Sequence, residues 1–316
     1  MISLQDIEHA RKKISGMIHK TPVMTSSTLS SAAGNEVFLK CEHLQRTGSF
    51  KIRGATNKVS EVARSGAEHV VAASSGNHGQ AVAYIARQLG LKATIVVPDD
   101  AIPCKVEAIQ GYGASVLYGG KTSKSRLDKA EKLADEAEAV LIPPYDDPFI
   151  MAGQGTTGLE ILEQVRETDV VYVPIGGGGM VSGIATAIKE TNPKIRVVGV
   201  EPELANDTYL SRESGEIVSI EPPATIADGL RALQPGDMTF PVMQKYLDDL
   251  VVVSEDEIKK AFRLLLERMK QVVEPSGAVS VAAAMTNKAN VYDKKVVSVI
   301  SGGNVALDRI GELLGK

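Results

Sequence analysis

The chain has 316 residues, enough to bury a large core in one or two α/β domains. Its 35 basic and 39 acidic residues are intermixed for a net charge of −4, and aromatics make up only 4% with no Trp, so neither a nucleic-acid footprint nor a surface for anionic membranes is expected. Two cysteines, Cys41 and Cys104, make no disulfide framework, and no apolar run approaches the ~20 residues that span a bilayer, so a reducing, cytoplasmic setting is expected.

The N-terminus, MISLQDIEHARKK, is charged and amphipathic rather than a signal peptide. Over residues 3–15, Leu4, Ile7, Ala10, Arg11 and Ile14 recur at helical spacing, with Ser3 as N-cap. Thr21-Pro22 breaks that pattern, and Glu36–Cys41 reads as a strand. A regular alternation follows: helix 52–65, strand 69–73, helix 77–89, strand 93–97, helix 103–111, strand 115–118 and helix 122–138. Strand and helix at this spacing predict a parallel sheet with crossover helices. Pro143-Pro144-Tyr145-Asp146-Asp147-Pro148 is the sharpest punctuation in the chain and marks a domain crossing. Beyond it come strand 170–175, helix 179–190 and strand 195–200, then a less regular stretch over 203–248. Ser254 followed by Glu255, Asp256 and Glu257 predicts a capped helix over 255–270, and strand 295–300 and helix 304–315 close the chain.

Chemistry concentrates in four segments. Lys51 lies in Gly48-Ser49-Phe50-Lys51, between a glycine-containing turn and a helix start. A lysine whose pKa is lowered becomes a nucleophile and forms a Schiff base with a carbonyl, although a helix-start lysine is ordinarily just solvated. Gly176, Gly177, Gly178 and Gly179 stand between a buried strand and a helix, where backbone N–H groups suit a phosphate. The dinucleotide fingerprint fails there, because Val181 or Ser182 replaces its third glycine, and a Walker lysine is absent. Ser74-Ser75-Gly76-Asn77-His78-Gly79 follows a strand and opens a helix, so its amides can receive an anion. No G-x-S-x-G elbow and no H-E-x-x-H is present, and His78 could equally be a loop histidine without chemistry. Ser301-Gly302-Gly303-Asn304 follows the last strand, and its serine could also cap the last helix. After strand 195–200, the segment Glu201–Asp207 combines carboxylates and carbonyls of the kind a hard cation takes, although spacing alone favours an acidic helix start.

In this order and at these separations, the segments resemble the fold-type II pyridoxal-phosphate enzymes, specifically the short serine/threonine dehydratases (ammonia-lyases) and serine racemases, over essentially the whole chain. The resemblance implies a tryptophan-synthase-beta-like α/β fold of two domains, each a mainly parallel sheet flanked by helices. Residues 1–65 plus 143–316 would form the large domain, and 66–142 a small inserted one. It implies that Lys51, with Phe50 beside it, carries pyridoxal 5′-phosphate, and that Gly176–Gly179 and Met180 hold the phosphate. Ser301 would sit at the pyridine nitrogen and Asn77 near the ring hydroxyl. Ser74, Ser75, Gly76, Asn77 and His78 would meet the substrate carboxylate, with Ser75 opposite Lys51 as a second acid/base. Glu201, the Ala205 carbonyl and Asp207 would bind Mg²⁺ or Ca²⁺. The activity implied is conversion of L-threonine and L-serine to 2-oxobutanoate and pyruvate with release of ammonia, together with serine racemisation, in a homodimer. A dedicated serine racemase and a β-replacement enzyme of the cysteine-synthase kind are the alternatives. The chain ends soon after Asn304, so the regulatory domain of biosynthetic threonine dehydratases is not expected.

Overall fold

The computed structural model describes residues 1–74 and 76–315. Helix α1 (Leu4–Ile14) leads through β1 (Val23–Thr25) and α2 (Ser27–Ala33) to β2 (Glu36–Cys41) and α3 (Lys51–Arg64). Next come β3 (His69–Ala73), α4 (Asn77–Gln88), β4 (Lys92–Val97), α5 (Pro103–Gly111), β5 (Ser115–Tyr118), α6 (Ser123–Glu136) and β6 (Val140–Leu141). A long α7 (Pro148–Gln164) precedes β7 (Val170–Pro174), α8 (Gly179–Thr191), β8 (Arg196–Pro202), α9 (Asp207–Ser214) and α10 (Thr239–Tyr246). The chain closes with β9 (Asp249–Val253), α11 (Glu255–Glu267), α12 (Pro275–Met285), β10 (Lys295–Ile300) and α13 (Arg309–Leu313).

Local chemistry explains several boundaries. Ser3 with Asp6, and Ser254 with Glu257, form reciprocal capping boxes that start α1 and α11. Asp147 accepts from the N–H groups of Phe149 and Ile150 at 2.8 and 3.1 Å and caps α7, whose first residue is Pro148.

Two sheets organise these elements. Six strands lie in the order β1-β2-β10-β7-β8-β9, parallel except for β1 against β2. Four lie in the order β5-β4-β3-β6, all parallel. Both faces of such sheets are covered by helices, so their strands read as Val/Ile runs; every residue of β7 is buried. Strand β10 pairs with β2 from Lys295–Glu36 to Ile300–Cys41, which sets the end of the chain against its beginning. The loops after β3, β7, β8 and β10 therefore leave the carboxyl ends of parallel strands, where open α/β sheets bind ligands.

The departures from the sequence expectations have local causes. Helix α7 has no expectation behind it, because its residues are buried without a break from Ile150 to Ile161 and a helix buried all round shows no 3.6-residue stripe. It packs on α8 through glycines: a Cβ on Gly183 would lie 2.2 Å from the Met151 carbonyl oxygen. The closing helix shrinks from 304–315 to Arg309–Leu313, since Gly303 and Asn304 bond to the loop before α3 instead. Two helices, α9 and α10, occupy the stretch expected to be irregular.

Candidate active site

The segment before α3 is clamped onto the loop after β10. Ser49 and Gly302 form an isolated antiparallel bridge, the Phe50 N–H donates to the Ser301 carbonyl at 3.1 Å, and the Gly303 N–H donates to the Gly48 carbonyl at 2.9 Å. Gly48 has φ 73°, and a Cβ there would lie 2.4 Å from Asn304 Oδ1, so only glycine fits. Asn304 Nδ2 donates to the Thr47 carbonyl at 2.8 Å and to Asn77 Oδ1 at 2.7 Å. Asn77 Nδ2 in turn donates to Glu274 Oε1 at 2.6 Å. A run of side-chain amide bonds thus joins the loops after β3 and β10 to the start of α3.

The Lys51 side chain is half-buried; its Nζ donates to the Pro144 carbonyl at 2.8 Å and lies 5.2 Å from the centroid of the Phe50 ring. Burial pushes its pKa down to about 8, against the upward pull of Glu274. An ordinary lysine titrates near ~10.4, so this amine reaches its free-base form far more readily near neutrality. Burial, and then the charge of Asp228, push the Glu274 carboxyl up to about 7, while Lys105, the Asn77 hydrogen bond and Lys51 pull it down. His78 is held neutral: burial, followed by the Lys51 charge, lowers its pKa to about 3. Its Nε2–H donates to the Ile142 carbonyl at 2.9 Å.

The glycine run follows β7. Gly178, at φ 91°, ends the turn after β7 as the N-cap of α8, and the Ser182 N–H donates to its carbonyl at 2.9 Å. The amides of Gly179 and Met180 thus precede the helical ladder and face the positive end of the helix dipole. Side chains at this run are excluded sterically as well. A Cβ on Gly177 would lie 2.4 Å from the Tyr145 ring, and one on Gly178 would lie 2.7 Å from Met243 Cε. Neighbouring residues Pro144 and Tyr145 thus touch the Lys51 amine and the glycine run respectively, which brings the two together.

A second polar site joins the end of β8 to the start of α9. Glu201 and Asp207 are both fully buried. Glu201 accepts from the N–H groups of Thr208 and Tyr209 at 3.1 and 2.8 Å, whereas neither Asp207 carboxylate oxygen has a hydrogen-bond partner. Burial first, and then the charge of Asp207, push the Glu201 carboxyl well up; burial raises Asp207 to about 7. Among the described residues no group of three or more His, Cys, Asp or Glu side chains could hold a metal.

The sequence matches the family described as "Pyridoxal-phosphate dependent enzyme" over residues 14–302. The chain belongs to this family. L-threonine ammonia-lyase of Thermotoga maritima is 43% identical over 317 residues, covering 100% of this chain and 79% of that protein. Serine racemase of Dictyostelium discoideum is 45% identical over 318 residues, 99% of this chain and 98% of the relative. The solved structure of maize serine racemase superposes with a TM-score of 0.95 at 39% identity, covering 98% of this chain and 96% of that one. The two mainly parallel, helix-flanked sheets are thus those of a fold-type II pyridoxal-phosphate enzyme.

The residues present fit such a cofactor. An amine of lowered pKa, an anion cradle without side chains, and a buried hydroxyl are all here. The Ser301 hydroxyl donates only a long 3.4 Å bond to the Ser276 carbonyl and is the group available to a ring nitrogen. Ser74 directly follows β3, its N–H donating to the Val96 carbonyl at 3.0 Å and its Oγ accepting from the Gly76 N–H at 3.3 Å. Met180 points into the core with Val173 and Ile184, so only its backbone faces the glycine turn. Ser75 lies outside the described residues. The buried Ala205 directly precedes the Asn206-Asp207 start of α9, between the two carboxylates in the chain. Sequence reasoning missed Glu274, Pro144 and Tyr145 as parts of the site. Pro143–Pro148 was read only as a domain crossing, and Glu274-Pro275, a helix start, was the one available signal for the carboxylate.

Proposed function

We propose that this enzyme is a serine/threonine ammonia-lyase that also racemises serine. The reading rests on one observation above all: a lysine amine of lowered pKa is brought, through Pro144 and Tyr145, beside a side-chain-free glycine run at a helix N-terminus. When bound, pyridoxal phosphate supplies an electron sink for the charge left on the substrate Cα. The chain's own residues do the rest. Gly176–Gly179, with the Met180 amide, would hold the phosphate, and Asn77 would meet the ring hydroxyl. The Ser301 hydroxyl would share a hydrogen bond with the ring nitrogen, where a carboxylate would keep that nitrogen charged. Lys51 takes the α-proton as general base at pH values where its amine is free. The loop 74–78, at the N-terminus of α4, receives the substrate carboxylate. Loss of the β-hydroxyl of L-serine or L-threonine as water leaves an enamine, and water then hydrolyses its imine tautomer to pyruvate or 2-oxobutanoate with release of ammonia. In this reading Ser75 supplies the second acid/base that gives the D-amino acid, since one group alone can only restore the proton where it found it.

Three finer points belong to the same reading. The chain divides into 1–65 plus 143–316 and an inserted 66–142, and works as a cytoplasmic homodimer. Glu201, the Ala205 carbonyl and Asp207 hold Mg²⁺ or Ca²⁺; two buried carboxylates with two orphaned oxygens are what such an ion would satisfy.

The test is direct. Purified protein should absorb in the visible, and borohydride should trap the cofactor on Lys51 alone. Lys51→Ala should lose both the absorbance and turnover while keeping its fold; a coloured, active variant would end the reading. Ser75→Ala should lose serine interconversion while sparing most keto-acid formation from L-serine and L-threonine, whereas equal loss of all activities would make Ser75 a binding residue.

A further inference from the structure

We infer that Arg53 is a positioning residue for the Lys51 amine, its guanidinium fixing the first turn of α3 in rotation and along its axis. The inference rests on the ammonia-lyase reading and deepens it.

Helix α3 begins at Lys51 without a capping side chain. Its first turn is gripped from within instead. Arg53, two residues along, is fully buried and uses all five of its N–H groups. Nε donates to Glu42 Oε2 at 2.7 Å, and Nη2 donates to Glu42 Oε1 at 2.8 Å and Glu160 Oε2 at 2.9 Å. Nη1 donates to Glu160 Oε1 at 2.7 Å and Thr156 Oγ1 at 3.1 Å. Lys40 closes the cluster, with its Nζ 2.5 Å from Glu160 Oε2 and 2.8 Å from both the Thr21 carbonyl and Gln164 Oε1. Two cations and two carboxylates are therefore buried together in a neutral, fully bonded group.

Stability alone does not call for such a group, since well-packed apolar residues of similar volume often do as well or better. What an apolar contact cannot supply is orientation, because a guanidinium fork meets a carboxylate in one plane. Its two arms reach the two walls that hold the amine. Glu42 directly follows β2, the strand paired with β10, whose following loop takes the Phe50 N–H. Glu160 and Thr156 lie on α7, which begins four residues after the Pro144 carbonyl that accepts from Lys51. Loosening the fork frees the Lys51 turn relative to both walls at once.

The experiment first reads wild-type protein. If it lacks the visible band of lysine-bound cofactor, the ammonia-lyase reading fails by itself. With that band present, Arg53→Lys keeps the charge but not the fork, and the charge-balanced pair Arg53→Met with Glu42→Gln removes the fork while Lys40 and Glu160 still neutralise each other. Both variants are expected to fold and bind cofactor, with kcat lowered at least tenfold and KM little changed. Stripped of cofactor, they should take up added pyridoxal phosphate at least tenfold more slowly than wild type, read from the growth of the visible band. A folded variant with wild-type kcat and uptake overturns the inference. So does a loss that vanishes well below the melting temperature, or failure of both variants to fold, because either result assigns the cluster to structure alone.

Discussion

Two buried groups of charge in this molecule are built on opposite plans. Around Arg53 each cation faces a carboxylate and the guanidinium has an acceptor for every N–H. Around Glu201 two like charges lie together, and both Asp207 oxygens are without a partner. The consequences for protonation diverge accordingly. Burial pushes the Glu42 carboxyl up, but the Arg53 charge and hydrogen bonds, and then Lys40, hold it below its ordinary range. Burial pushes Asp207 up to about 7 with no cation to oppose it. Burial is common to both, so the company of a buried carboxylate, rather than its depth, decides whether it stays ionised. The first group is complete as it stands, and the second leaves two buried carboxylate oxygens without a partner.

The largest effect should come from breaking the complete group on one side. Glu160→Ala leaves both Lys40 and Arg53 short of their shared carboxylate, and removing one partner of a buried pair costs ~3–5 kcal/mol. Urea unfolding would measure it, and a loss below about 1 kcal/mol would mean that the cluster is not coupled in this way.

A smaller effect is expected at the incomplete group. Mg²⁺ or Ca²⁺ at about a hundred times its Kd should stabilise the chelated wild-type protein by about 2.7 kcal/mol, and should do nothing for Asp207→Ala. Equal behaviour of the two proteins in thermal melts would remove the cation from Asp207.

The pH dependence sharpens the contrast further. The folded-state pKa of Asp207, about 7, lies above the unfolded value of about 3.9. The unfolded chain therefore releases this proton first as pH rises, and metal-free stability should fall between about pH 4 and 7. Glu274, also raised to about 7, acts in the same direction. Asp207→Asn should flatten part of that slope in metal-free melts, and an unchanged slope would place the titration elsewhere.

The smallest effect belongs to the exposed pair Lys124–Asp128, whose side chains are 82% and 55% exposed. Asp128→Ala should leave Tm unresolved from wild type, since solvent screens such a pair.

Much of the site was legible along the chain because its chemistry is local. A glycine run after a Val-rich strand announces backbone amides open to an anion. Gly48 before Lys51 announces a left-handed turn, and Ser254 with Glu257 announces a helix start. Each of these depends on residues within a few positions of one another. Helix α7 was not legible, since burial on all sides erases the stripe that periodicity reads. Nor was Glu274: burial and Asp228 push its pKa up against Lys105, Asn77 and Lys51, and these groups are brought together from separate places in the chain.

The alternation of strand and helix, the capped helix starts and the glycine turns can all be read along the chain. Those features follow from backbone propensity, capping and the conformational freedom of glycine, which act over short separations. Only the tertiary structure decided that the Pro144 carbonyl meets the Lys51 amine and that Arg53 is caught between Glu42 and Glu160, up to 107 residues away in the chain. It alone also left Asp207 without a partner. Desolvation and charge pairing act through space, and which groups share that space is set by how the sheets and helices pack.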